Sequence, residues 1–221
     1  MKPAGLMARR RALLGMLAGC SVAKLARAGS YDDFFLGIAL DRPGIVAPLL
    51  ARGFDVNARS PEGQHGLYLA FRENADAVAE LLLGRPDLDP NAGNAAGETL
   101  LMMAALRGRL AAMRQLITRG ARVDKDGWTP LHYAASGSEP QAVALLLDQG
   151  AEIDARAPNG NTPLMMAAGF GSIDAADLLA RRGADVTLQN KSGSRASDFA
   201  RHADRDELAQ RLDTLAAKRG R

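Results

Sequence analysis

Apolar residues recur along the chain in short blocks with helical spacing. Val46/Leu49/Leu50, Val78/Leu81/Leu82, Met113/Leu116/Ile117 and Val143/Leu146/Leu147 each follow an i, i+3, i+4 pattern, which places an apolar stripe on one face of a helix. Ahead of three of these stripes, or of a similar block, stand the small-residue pairs Ala104–Ala105, Ala134–Ala135 and Ala167–Ala168, followed by Gly108, Gly137 and Gly171. Alanine pairs let neighbouring helices approach closely, and the glycines suit a left-handed turn between one helix and the next. The pattern predicts pairs of short helices joined by a tight turn. One apolar face per pair cannot close a core alone, but it can stack on the next pair.

The pairs are copies of one unit. Residues 62–71, 96–105, 126–135, 159–168 and 192–201 align as EGQHGLYLAF, AGETLLMMAA, DGWTPLHYAA, NGNTPLMMAA and SGSRASDFAR. Their shared glycines, Gly63, Gly97, Gly127, Gly160 and Gly193, are spaced by 34, 30, 33 and 33 residues. Thr129 and Thr162 are placed as helix N-caps, with Pro130 and Pro163 at the first helical position, where a missing N–H costs nothing. The second block of each unit closes near a Gly, except in the second unit, where Arg85-Pro86 takes its place.

A period of 33 with Thr-Pro-Leu-His at 129–132, Thr-Pro-Leu-Met at 162–165 and a later Gly-Ala-x-(Val/Ile)-(Asp/Asn) resembles the ankyrin repeat. The resemblance covers about residues 31–218. It implies an all-α ankyrin-repeat solenoid of stacked helix-turn-helix units, about six helix pairs including caps, with short projecting hairpin fingers. The expected units within a domain at 29–221 are an N-terminal cap at 30–61, repeats at 62–95, 96–125, 126–158 and 159–191, and a charged C-terminal cap at 192–221. One finger is short. Only Lys125 and Asp126 separate Asp124 from Gly127, whereas five residues separate Asp154 from Gly160. The finger before Trp128 therefore lacks three residues, which predicts a notch with Trp128 at its base.

The chain has 221 residues, 47% of them hydrophobic, an ordinary globular proportion. Its net charge of +3 would suit a nucleic-acid partner, but the distribution argues against one. Residues 1–28 hold Lys2, Arg9, Arg10, Arg11, Lys24 and Arg27 and no acidic residue; the remainder has 22 basic against 25 acidic side chains, a net of −3.

Residues 1–28 have the layout of a secretion signal: Arg9–Arg11, an apolar run from Ala12 to Ala23, and Ala26-Arg27-Ala28 as a small-residue cleavage site before Gly29. The run is too short to span a membrane, which takes roughly 20 residues. Arg10-Arg11 resembles a twin-arginine signal. Leu17-Ala18-Gly19-Cys20 resembles a lipobox, so a lipid anchor at Cys20 is the alternative to cleavage after Ala28. Cleavage there removes the only cysteine, leaving no disulfide or thiolate metal site. A periplasmic protein is expected, with a lipoprotein or a secreted protein as alternatives.

No catalytic or metal constellation stands out, and neither cofactor nor enzymatic activity is expected. His65, His132 and His202 lie in different units. The resemblance implies that His132 hydrogen-bonds neighbouring loops. The pairs Met102–Met103 and Met165–Met166 suit helix core and groove, or a soft-metal or small-ligand groove as an alternative function. The main expectation is a monomeric module that binds another exported protein on its concave face; a secreted effector with a host partner is a further alternative. Positions carried across from the family are Gln64, Arg72 and Glu73; Glu98, Leu106 and Arg107; Trp128 and Ser136; Asn161 and Phe170. Of these, Trp128, Phe170, Leu106, Arg107, Arg72, Gln64 and Asn161 are the expected partner contacts, with Leu106, Trp128 and Phe170 forming one apolar patch edged by Arg107.

Overall fold

Twelve helices, taken in chain order, fall into six consecutive pairs among the residues described by a computed structural model, 22–219. The pairs are α1 (Val22–Ala39) with α2 (Pro43–Ala51), α3 (Gly66–Glu73) with α4 (Asp76–Leu83), α5 (Leu100–Leu106) with α6 (Leu110–Thr118), α7 (Pro130–Ser136) with α8 (Pro140–Asp148), α9 (Pro163–Gly169) with α10 (Ile173–Arg181), and α11 (Ala196–His202) with α12 (Asp206–Arg219). First helices pack on first helices, from α1 through α11, and second helices on second helices, from α2 through α10. The apolar core runs unbroken between these two layers. Arg9–Arg11, Cys20 and most of the apolar run expected as a secretion signal lie outside the described residues; Ala26–Ala28 falls within α1. None of the described helices is long and apolar enough to cross a membrane.

The repeated motif is a set of helix starts. Thr99, Thr129 and Thr162 N-cap α5, α7 and α9, each hydroxyl accepting the N–H three residues on. The residue at that third position answers: Met102 Sδ, His132 Nδ1 and Met165 Sδ accept the threonine N–H at 3.2, 3.2 and 3.4 Å. Pro130 and Pro163 occupy the first turn as expected. In the first aligned unit a histidine does the capping, His65 Nδ1 accepting the Leu67 N–H at 3.0 Å.

The inter-helix glycines divide into two kinds, and the expected left-handed role holds for only one. Gly108 has φ +62°, and Asn74 takes the matching position of the preceding unit at φ +57°. Gly137 is extended instead, with φ −83° and ψ 177°, and Gly171 is not left-handed either. What they provide is clearance. A Cβ on Gly137 would lie 2.7 Å from the Leu106 carbonyl oxygen, and one on Gly171 would lie 1.8 Å from that of Ala135. Successive units touch backbone to backbone at these points.

Second helices end on left-handed Gly53, Gly120, Gly150 and Gly183. The Arg85-Pro86 unit lacks such a residue. There Arg119, from the end of α6, donates to the carbonyl of Leu83 and to that of Arg85, which also accepts the Leu88 N–H at 3.4 Å.

Below the fingers runs a ladder of short polar side chains. Asn57, Asn91, Asp124 and Asp154 each accept a backbone N–H from the following unit, of Asp89, Arg122, Glu152 and Asp185, at 2.8 to 3.0 Å. Asn57 and Asn91 also donate to the carbonyls of Asp87 and Gly120. A carboxylate has no such donor, and Asp124 Oδ1 is left buried without a hydrogen-bond partner. The finger turns are closed by a bond from Ser60, Asn94, Ala157 or Asn190 N–H to the carbonyl four residues on, of Gln64, Glu98, Asn161 or Ser194. The third finger, shorter by three residues, forms no such bond, although Gly127 keeps its turn at φ +82°.

Candidate protein-interaction face

The residue after each finger glycine sits where a finger meets the first helix of its unit. These positions hold Gln64, Glu98, Trp128 and Asn161, and each is tied sideways to its surroundings. Gln64 Oε1 accepts from Arg72 Nη1 at 2.7 Å; Arg72 also pairs with Glu73 at 2.8 Å, and its carbonyl accepts from Arg107 Nη2 at 2.6 Å. Gln64, Arg72 and Arg107 thus belong to one polar network at the N-terminal side of the face. Arg107 is exposed, and the other two are half-buried.

Glu98 is the centre of a second network that spans three units. One carboxylate oxygen accepts from Tyr68 at 2.6 Å and Asn94 at 2.6 Å, the other from Tyr133 at 2.7 Å. Tyr68 comes from α3 and Tyr133 from α7, on either side of the unit that carries Glu98. Burial pushes the Glu98 carboxyl up, but the bonds from Tyr68, Tyr133 and Asn94, with the Arg72 charge, outweigh it and hold the group below its ordinary range. Burial, together with the bond to that carboxylate, raises both phenols.

Trp128 is half-buried, its ring edge-on to His132 with centroids 5.3 Å apart. His132 lies fully inside, its Nε2 donating to the Asn161 carbonyl of the next unit at 3.0 Å, as the loop-bonding role implies. Burial lowers its pKa, partly offset by hydrogen bonds to backbone at Asn161 and Ala155.

Two expectations are corrected here. Asn161 is not offered to a partner: it is 6% exposed, its Oδ1 accepts from Asn190 at 2.9 Å, and its own N–H is bound by Asn159. Nor do Leu106, Trp128 and Phe170 form one patch. Trp128 precedes α7, whereas Phe170 follows α9 and Leu106 ends α5, so they lie at opposite ends of the first helices. A seven-residue helix separates those ends by about 10 Å. Leu106 is half-buried against the core. Phe170 is 63% exposed and meets Phe199, with ring centroids 6.3 Å apart.

An apolar strip that the expected partner contacts did not include lies between those ends, although its Met103 and Met166 belong to the methionine pairs expected as core and groove. The aligned residues Leu69, Met103, Tyr133, Met166 and Phe199 hold the same position on successive first helices. Leu69 and Met103 are buried, while Tyr133, Met166 and Phe199 are each half-exposed. The usable signal was the column after Thr-Pro-Leu-His, whose residues become larger or aromatic toward the C-terminus. Three of the four paired methionines point into the core: Met102 and Met165 are buried with their sulfurs engaged in the caps and Met103 is buried, whereas Met166 is half-exposed with its Sδ accepting from Asn161 at 3.6 Å. Among the described residues no three His, Cys, Asp or Glu side chains gather around a possible metal position.

Comparison with known proteins agrees with this architecture. The family model described as "Ankyrin repeats (3 copies)" matches residues 36–125, 67–157 and 122–190. The chain is 32% identical over 162 residues to the nuclear factor NF-kappa-B p105 subunit of Gallus gallus, covering 70% of this chain and 16% of that protein. It is 31% identical over 164 residues to the B-cell lymphoma 3 protein homolog of Mus musculus, covering 70% and 36% respectively. The chain therefore spans only a minor part of these relatives. Among solved structures it is similar to a chain in the complex of the Bd0816 predatory endopeptidase from Bdellovibrio bacteriovorus with immunity protein Bd3460. The TM-score is 0.69 at 25% identity, covering 82% of this chain and 97% of that one. With the family model matched across most of its length, and the helix pairs, caps and fingers as described, the chain belongs to the ankyrin-repeat family.

Proposed function

We propose that this chain is a non-enzymatic protein-binding module of the bacterial periplasm, holding another exported protein on its concave face. The observation that carries the reading is the strip Tyr133–Met166–Phe199, with Trp128 beside it. Half-exposed aromatic and methionine side chains on rigid helices are suitable interface anchors, because little conformational entropy is lost when they are covered. Export rests on the basic cluster, apolar run and Ala-Arg-Ala site of residues 1–28, with mature protein starting at Gly29. The likeness to a chain from an endopeptidase–immunity protein complex favours an exported peptidase as the partner class, with this chain as its restraint.

A photo-crosslinking residue at Trp128 or Phe199, in cells expressing the full chain, tests the docking face; Arg114, exposed on α6, is the control position. One exported protein should crosslink from the first two positions and not from the third. Equal crosslinking from all three, or from Arg114 alone, removes the concave-face reading. N-terminal sequencing of the periplasmic protein should begin at Gly29. A lipid-modified Cys20 terminus would make the chain an anchored lipoprotein, and recovery from the medium would favour the secreted reading.

A further inference from the structure

Phe170 and Ile173 are 63% and 43% exposed, and they flank the turn between α9 and α10. They lie on the edge formed by the inter-helix turns, not on the strip between fingers and first helices. The ion pair Asp177–Arg211 sets α10 beside α12, which one turn earlier brings the Ile173–Asp174 end of α10 to the side of Asp206 and Glu207, and the bonds from Arg205 to Ala167 and Ala168 hold Asp204 at the same edge. Asp174, Asp204, Asp206 and Glu207 are exposed, and none of the four enters an ion pair with another described residue.

The arginines at this end are already engaged. Arg205 Nη1 donates to the Ala167 and Ala168 carbonyls at 3.1 Å each, and Arg201 pairs with Asp198 and Asp213. The result is an apolar centre whose rim carries four unpaired carboxylates against one guanidinium, Arg205, that is bonded to backbone and not to a carboxylate. The ring contact between Phe170 and Phe199 makes this patch continuous with the Tyr133–Met166–Phe199 strip.

We propose that this turn edge is a second docking surface, and that its occupant is a partner segment presenting an apolar side chain flanked by lysine or arginine. The inference rests on the protein-binding reading above, and it adds the chemistry of the partner. The apolar side chain covers Phe170 and Ile173, and the flanking cations meet carboxylates that form no ion pair with any described residue. Long-range attraction of this kind raises the association rate and weakens with salt.

The probe is a synthetic 14-residue amphipathic peptide of leucine and lysine, with a leucine–glutamate peptide of the same pattern as control. Each is titrated into the folded full chain and followed by fluorescence anisotropy. The lysine peptide should bind, and the glutamate peptide should not. Affinity should fall at least tenfold in Phe170→Ser/Ile173→Ser, at least tenfold in Asp174→Asn/Glu207→Gln, and on raising salt to 0.5 M. Thermal melts by circular dichroism confirm that each variant is folded, and the charge-removing pair adds no steric demand. Equal binding of both peptides, or unchanged binding by both variants, overturns the proposal. So does a dimer of the native chain that Phe170→Ser/Ile173→Ser dissolves, because a second copy then occupies the edge. Tyr133→Ala should leave peptide binding intact; crosslinking at Trp128, which does not touch Phe170, tests the concave face independently.

Discussion

Gly171 has no room for a side chain, because its Cβ would stand 1.8 Å from the Ala135 carbonyl oxygen, a backbone atom that cannot swing aside. Gly171→Ala should therefore destabilise the fold by about 3 kcal/mol or more, read as a shift in the urea unfolding midpoint. Gly44, exposed in the first turn of α2 with nothing within 4 Å of the same position, is the contrast. Gly44→Ala should gain about 0.5 kcal/mol by restricting the unfolded chain. His65 supplies a residue-scale prediction about pH. Burial, aided by the Arg59 charge, lowers its pKa from 6.5 to about 4 against the opposing pull of Asp89 and Asp55. The neutral ring is needed: Nδ1 accepts the Leu67 N–H that starts α3, and Nε2 bonds Asn57 Oδ1 at 3.2 Å. As pH falls below 6.5 the unfolded chain takes up the proton first, so stability is full above that value and declines down to about 4. The whole loss is about 3 kcal/mol. His132, also lowered by burial, adds to it in the same direction. In His65→Thr, which restores the capping residue used at 99, 129 and 162, the difference in stability between pH 7.5 and pH 4.5 should shrink by most of that amount.

At the scale of elements, the second unit depends on its neighbour to finish a helix. Arg119 donates to the carbonyls of Leu83 and Arg85 where other units use a left-handed glycine. Arg119→Ala should cost about 2 kcal/mol, and hydrogen exchange should speed up around residues 84–88 in α4's exit, far from the substitution in sequence. The irregularity that creates this dependence, Arg85-Pro86 in place of a glycine, was visible in the alignment, but its remedy was not. Thr129, Pro130 and the Val143/Leu146/Leu147 stripe were legible because capping and helical periodicity act within a few residues. Arg119 reaching back to Leu83, and Gly171 facing Ala135, depend on how one unit lies against the next. A local pattern does not contain that distance. The same holds at Asn161, whose place in the motif suggested exposure and whose bond to Asn190 comes from the following finger.

For the whole molecule, Glu98 is the side chain that couples most of the face. Its carboxylate receives Tyr68 from the unit before and Tyr133 from the unit after, which stiffens three units against bending relative to one another. Tyr68→Phe and Tyr133→Phe should each cost about 1–2 kcal/mol in the native chain, as hydrogen bonds to a charged group do. In a Glu98→Ala background each should cost less than half as much, so a double-mutant cycle on unfolding free energies detects the shared acceptor. Because the Glu98 carboxyl sits below its ordinary range, this stabilisation persists at neutral pH and is lost only as pH falls through that lowered value.

The shortened third finger bears on how such an array is recognised. A stack of near-identical steps looks the same after a shift by one step, so a partner that gripped only the common features would have several equivalent places to sit. The missing three residues and the absent turn bond occur once among the fingers. They break the translational symmetry, and a partner whose surface fills that gap beside Trp128 has a single frame in which it can be held.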